Sequence, residues 1–189
     1  MTDTGRFLTA LRRAIRGLFG SSTSTARKTD ASGRMSVSAG RASVSTGLLS
    51  PGQAGPSATV EVDPKGLRRV DLAYAPSPDG QPDPGEIVWT WVPYEERDGR
   101  GKDRPVVVVA AAGSDTFLAV QLTSKAHEGS RDFVPLGAGA WDSAGRPSWA
   151  NIDRVFEVHT GGMRREAASL DAERYLKLAK ALNARYGWR

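Results

Sequence analysis

Two short stretches hold the side chains best suited to chemistry. The first is "GKDRPVVVVAA", Gly101 to Ala111, in which Lys102, Asp103 and Arg104 run straight into a proline and four valines. The second is "AVQLTSK", Ala119 to Lys125, an apolar run that ends in Thr123, Ser124 and Lys125. A strand as apolar as Val106–Val109 belongs in a core, so an arginine at its mouth faces solvent or something that binds there. A guanidinium is planar, permanently charged and matched to phosphate oxygens. Its other use is a surface ion pair with Asp103 or an acidic loop residue. Thr123 offers a hydroxyl that can hydrogen-bond a phosphate oxygen, or it is an ordinary strand threonine. If the two apolar runs pair antiparallel, the start of one meets the end of the other. Arg104 and Thr123 would then share one rim, with Lys102, Ser124 and Lys125 beside them.

Other chemistries find little support. The chain has no cysteine, which removes disulfides and thiolate metal sites and suits a reducing compartment. His127 and His159 lie far apart without metal-ligand spacing, so no metal or other cofactor is expected.

The elements that must position these residues follow from the apolar pattern. "EIVWTWV" (86–92) is rich in branched and aromatic residues and reads as a strand. A polar loop, "PYEERDGRGKD" (93–103), leads to a buried strand at 104–112. Further strands are expected at 116–124, 131–136 and 149–158. Short strands so close in sequence predict a mainly β fold, a small antiparallel barrel rather than a parallel sheet. Tyr175, Leu178, Ala179, Leu182 and Tyr186 recur at helical spacing and predict one C-terminal helix, capped by Ser169 or Asp171 and ended by Gly187. Trp89 and Trp91 share a strand face and read as core. Trp141 and Trp149 flank a Gly-rich loop where exposed rings could stack on unpaired bases. His159 in "VHTGG" reads as a loop residue.

The N-terminal part differs. "GRFLTALRRAIRGLFG" (5–20) reads as a short basic amphipathic helix, and the rest of 1–57 as a disordered, Ser/Gly-rich extension. Residues 58–83 read as a linker that could add an edge strand, because Val60 and Val62 alternate before "PSPDGQPDPG" breaks regular structure. The compact domain is expected at 84–189.

The formal net charge of +5 is unevenly spread. Residues 1–50 hold eight Lys/Arg against two Asp/Glu, whereas residues 51–189 hold 18 against 19. The basicity belongs to the extension, so any nucleic-acid site in the domain must be a local arrangement. No apolar run approaches the ~18 residues of a membrane span, and no signal-peptide core is present. A cytoplasmic location is expected.

The order and spacing of these motifs resemble the MazF/PemK family of toxin endoribonucleases over about residues 84–189. "PGEIVWTWVP" is similar to the family's opening Gly-Asp-Ile-Val-Trp strand, "RPVVVVA" to its Arg-Pro and apolar strand, and "AVQLTSK" to the strand ending in Thr-Ser. "NIDRVFEV" and the closing helix follow in the expected order. The resemblance implies an SH3-like barrel with a C-terminal helix, a homodimer, an antitoxin partner and metal-independent cleavage of single-stranded RNA. It passes catalytic roles to Arg104 and Thr123. Lys102, Ser124 and Lys125 are then candidate RNA contacts.

RNA carries its own nucleophile, the 2′-OH, and cleavage by it needs a proton acceptor, charge stabilisation at phosphorus and protonation of the leaving 5′-oxygen. Arginine makes an awkward base. His127, Glu95 and Glu96 are alternatives, and the sequence does not choose among them. The loop at 93–103 departs from the family's usual Gly-Ser-Glu-Gln, so that loop's RNA contacts do not transfer. A non-catalytic binding module, or a toxin acting by protein contact as gyrase poisons do, is the other reading of the same fold.

Overall fold

The computed structural model describes residues 49–67, 69–77 and 79–189. The amphipathic helix expected at 5–20 and most of the extension lie outside the described residues. Among the described residues, seven strands and one α-helix follow in chain order: β1 (Val60–Val62), β2 (Glu86–Pro93), β3 (Gly101–Ala111), β4 (Thr116–Thr123), β5 (Phe133–Gly137), β6 (Ser148–His159), β7 (Arg164–Ser169) and α1 (Ala172–Tyr186). All pairings are antiparallel, in the order β1-β6-β4-β3-β2-β7, with β5 also on β6.

The mainly β architecture with a C-terminal helix is the one expected. The closed barrel is not: the sheet has two ends, and no ladder joins β7 to β1 or β5 among the described residues. It nevertheless buries both faces. Val106 to Val109 are all fully buried, with Val107 and Val109 in a large cluster under α1 and Val106 and Val108 in a smaller one with Val88, Val92, Phe117 and Phe156. An antiparallel sheet with two dry faces must bend over itself, and the bends have visible causes. Register shifts interrupt β2/β7, β3/β4, β4/β6 and β5/β6, and such bulges kink a strand and sharpen its twist.

The helix forms for the predicted reasons. Asp171 Oδ1 accepts the Arg174 N–H at 2.8 Å, so Asp171 rather than Ser169 is the cap, and Gly187 ends the helix at φ 73°. Tyr175, Leu178 and Leu182 face the sheet. The Tyr175 hydroxyl donates to the Val109 carbonyl at 2.7 Å, tying the helix to β3 near that strand's C-terminal end.

Parts of the described stretch before β2 pack onto this sheet. β1 lies on the free edge of β6, Val70 enters the large cluster, and Tyr74 donates to the Leu170 carbonyl at 2.8 Å. The Trp91 N–H donates to the Pro51 carbonyl at 2.9 Å. β7 was not expected. "RREAAS" has no apolar alternation and owes its strand form to pairing with β2.

Candidate functional site

Arg104 is not at the mouth of its strand. β3 begins at Gly101, because the ladder with β2 runs out to Pro93↔Gly101 and places Arg104 opposite Thr90. Gly101 permits that close pairing: a Cβ there would lie 2.5 Å from Trp91 Nε1. Strand alternation puts Arg104 on the face of the smaller cluster, with Val106 and Val108. Across the sheet, the β3/β4 ladder ends at Val106↔Gln121. Two residues further along each strand stand Arg104 and Thr123, on one face and at one rim, as the sequence implied.

Arg104 is half-buried and makes no ion pair or side-chain hydrogen bond among the described residues. Asp103 is not its partner; that carboxylate pairs with Arg164, whose guanidinium also lies 5.7 Å from the Trp89 ring centroid. An unneutralised guanidinium on a rigid strand is prepared for an anion.

Arg104 lines two cavities. The first, about 380 Å³, is also walled by Tyr94, Glu95, Glu96, Gln121 and Arg154. The second, about 340 Å³, includes Trp89, Lys102, Thr123, Ser124 and Arg146. The structure therefore brings Lys102, Arg104, Thr123 and Ser124 together. Lys125 stands outside both cavities and is exposed, but its backbone N–H donates to Thr123 Oγ1 at 3.2 Å. That bond occupies an acceptor position of the hydroxyl and leaves its O–H to donate.

Several aromatic and histidine expectations change. Trp141 is buried at 4 % exposure, with Nε1 donating to Ser148 Oγ at 3.1 Å, because the Gly-rich loop folds inward rather than out. Trp89 and Trp91 are half-buried, not core, since the neighbouring Val88, Thr90 and Val92 take the buried face. His159 ends β6, 3.4 Å from Thr116 Oγ1 through Nδ1, rather than sitting in a loop. His127 stacks flat on Phe133 at 3.5 Å and lines neither cavity, while Glu95 and Glu96 both wall the first.

Sequence reasoning missed Gln121 and Arg154. Arg154 is a charge in the middle of the apolar run "NIDRVFEV", and that mismatch was the available signal. Its side chain is only 8 % exposed. Nη2 donates to Glu61 Oε2 at 2.7 Å and to the Pro93 carbonyl at 2.9 Å. The hydrogen bond from Arg154 holds the Glu61 carboxyl below its ordinary range, against the opposing effect of burial.

Residues 83–185 match the family described as PemK-like, MazF-like toxin of type II toxin-antitoxin system. The chain belongs to this family. Solved structures similar to this PemK/MazF-like chain include MazF (Form-I) from Deinococcus radiodurans, at 21 % identity and TM-score 0.43, covering 57 % of this chain and 97 % of that one. A MazE-MazF structure (Form-II) from the same organism matches at 20 % identity and TM-score 0.43, over 56 % and 96 %. Mycobacterium tuberculosis toxin MazF-mt6 matches at 17 % identity and TM-score 0.40, over 54 % and 98 %. Among curated proteins, none matches. No helix among the described residues is long and apolar enough to cross a membrane.

Proposed function

We propose that this chain is a cytoplasmic toxin that cleaves single-stranded RNA without a metal, using the substrate's own 2′-OH. The observation that carries the reading is Arg104, a half-buried guanidinium with no ion pair among the described residues, which lines two cavities and shares the second with Thr123. In the proposed reaction the 2′-oxygen attacks the adjacent phosphorus and the bond from phosphorus to the 5′-oxygen breaks. The 2′-OH gives up its proton and the leaving 5′-oxygen gains one. Arg104 stabilises the charge that builds on the phosphorane oxygens. Thr123 donates its O–H to one of those oxygens, and Lys102, Ser124 and Lys125 hold the flanking backbone. Glu95 and Glu96 are the carboxylates that share a cavity with Arg104, and one of them accepts the 2′-proton.

Family membership supports an antitoxin partner and a homodimer as further parts of this reading. The test is incubation of the full chain with single-stranded RNA in EDTA. Cleavage is the expected result. Cleavage only when a divalent metal is restored would overturn the mechanism, and no cleavage under either condition would favour a toxin that acts by protein contact.

A further inference from the structure

The family match begins at residue 83, yet one wall of the first cavity depends on a residue well before it. Glu61 sits on β1, the short strand added to the edge of β6. One carboxylate oxygen takes the 2.7 Å hydrogen bond from Arg154, and the other lies 3.8 Å from Arg97 Nη2. Arg154 in turn holds the carbonyl of Pro93, the last residue of β2. Pro93 and Arg97 bracket Tyr94, Glu95 and Glu96, which wall the cavity shared with Arg104. The turn between them is tight: the Arg97 N–H donates to the Tyr94 carbonyl at 3.2 Å, the Tyr94 N–H donates to the Arg100 carbonyl at 3.0 Å, and Arg97 has φ 52°. A non-glycine residue in that left-handed conformation is strained and is kept there by its surroundings.

We propose that Glu61 is a positioning residue, which through Arg154 and Arg97 fixes the 94–97 turn as the wall beside Arg104 and makes β1 part of the RNA site. Arg154 is buried and permanently protonated, and Glu61 is its only carboxylate partner among the described residues. Without that carboxylate, Arg154 would be an uncompensated buried charge and would relax toward solvent or the cavity, releasing Pro93. Arg97 would lose its tether at the same moment. Arg104 would stay in place, because the β2/β3 ladder holds it independently.

The kinetic part rests on the endoribonuclease reading; the structural part does not. Glu61→Ala and the isosteric Glu61→Gln, each in the full chain, are compared with the parent in two assays. In RNA cleavage, Glu61→Ala should lower kcat/KM about tenfold, with kcat falling along with substrate binding, because the released turn carries the carboxylate that accepts the 2′-proton. Glu61→Gln keeps an acceptor for Arg154 and should recover most of the lost kcat/KM. In limited trypsin digestion followed by mass spectrometry, cutting after Arg97 and Arg100 should be fastest in Glu61→Ala and intermediate in Glu61→Gln. If Glu61→Ala does not fold, the Glu61→Gln comparison decides alone. A parent that cuts no RNA would sink the nuclease reading while the trypsin arm still judges the positioning role. Parental trypsin rates in both variants, or a change in melting temperature with neither kcat/KM nor loop cutting affected, would overturn the proposal.

Discussion

Replacing Arg104 with alanine should separate catalysis from stability, and the structure says by how much. Arg104 is half-buried, with no ion pair and no side-chain hydrogen bond among the described residues, so its removal orphans no partner. Surface-type substitutions of this kind change stability by about 0.5 kcal/mol or less. In activity, loss of one donor aimed at developing charge costs about 10²–10³ in rate, or roughly 3–4 kcal/mol of transition-state stabilisation. Arg154→Ala makes the contrast. Arg154 is 8 % exposed, and its loss leaves the Glu61 carboxylate and the Pro93 carbonyl without their donor. Breaking such a pair costs about 3 kcal/mol, discounted because Glu61 keeps 19 % of its surface in water. For a domain of this size that is a drop of about 10 °C in melting temperature. Initial rates on a fluorogenic RNA and a thermal melt of the same two samples make the comparison. Arg104→Ala should lie at the parental melting temperature with a rate at least about 100-fold down. A rate within threefold of the parent, or a melting temperature as low as that of Arg154→Ala, would refute the assignment of Arg104 as a phosphate clamp on a rigid strand.

Other perturbations probe the scaffold. Gly52 has φ 78°, and a Cβ there would sit 2.2 Å from Thr90 Oγ1 and 2.7 Å from the Gly162 carbonyl, so Gly52→Ala should lower the melting temperature clearly, whereas Gly145→Ala, with open space at φ 64°, should cost only backbone strain. Tyr175→Phe removes the donor to the Val109 carbonyl at 2.7 Å and should destabilise by about 1–2 kcal/mol in chemical denaturation. The Glu61 carboxyl titrates below its ordinary 4.5 when folded, so its contribution is fully present above about pH 4.5 and is lost as pH falls through the lower folded value. The parent should therefore lose more stability than Glu61→Gln between pH 5 and about 3, and parallel melting curves would contradict this.

The strands and the helix were legible because their signals are local. Alternation and branched residues marked β2, β3, β4 and β6, and Asp171 and Gly187 marked the helix ends. β7 was hidden because "RREAAS" becomes a strand only through its partner. The sheet's failure to close was also hidden, since closure depends on which edges meet and not on any segment's own pattern. In the site, the juxtaposition of Arg104 and Thr123 followed from antiparallel pairing of two adjacent strands, a short-range inference. Arg154, Gln121 and Glu61 required long-range information. Glu61 reaches the cavity across 93 residues of chain, through an arginine that sequence pattern assigns to a core strand. Trp141 misled for a related reason: flanking glycines suggested an open loop, and Ser148 draws its ring inward.

In the proposed reaction the substrate's own 2′-OH does the cutting, at Arg104. Its most direct test is mass spectrometry of product ends from one good RNA substrate and from the same RNA with a single 2′-deoxy sugar at the cleaved step. The proposed reaction should leave a 2′,3′-cyclic phosphate or 3′-phosphate facing a 5′-hydroxyl, with no cutting at the deoxy step and retained, salt-sensitive binding of that substrate through the phosphates. A 5′-phosphate on the product, or cleavage at the deoxy step, would contradict it.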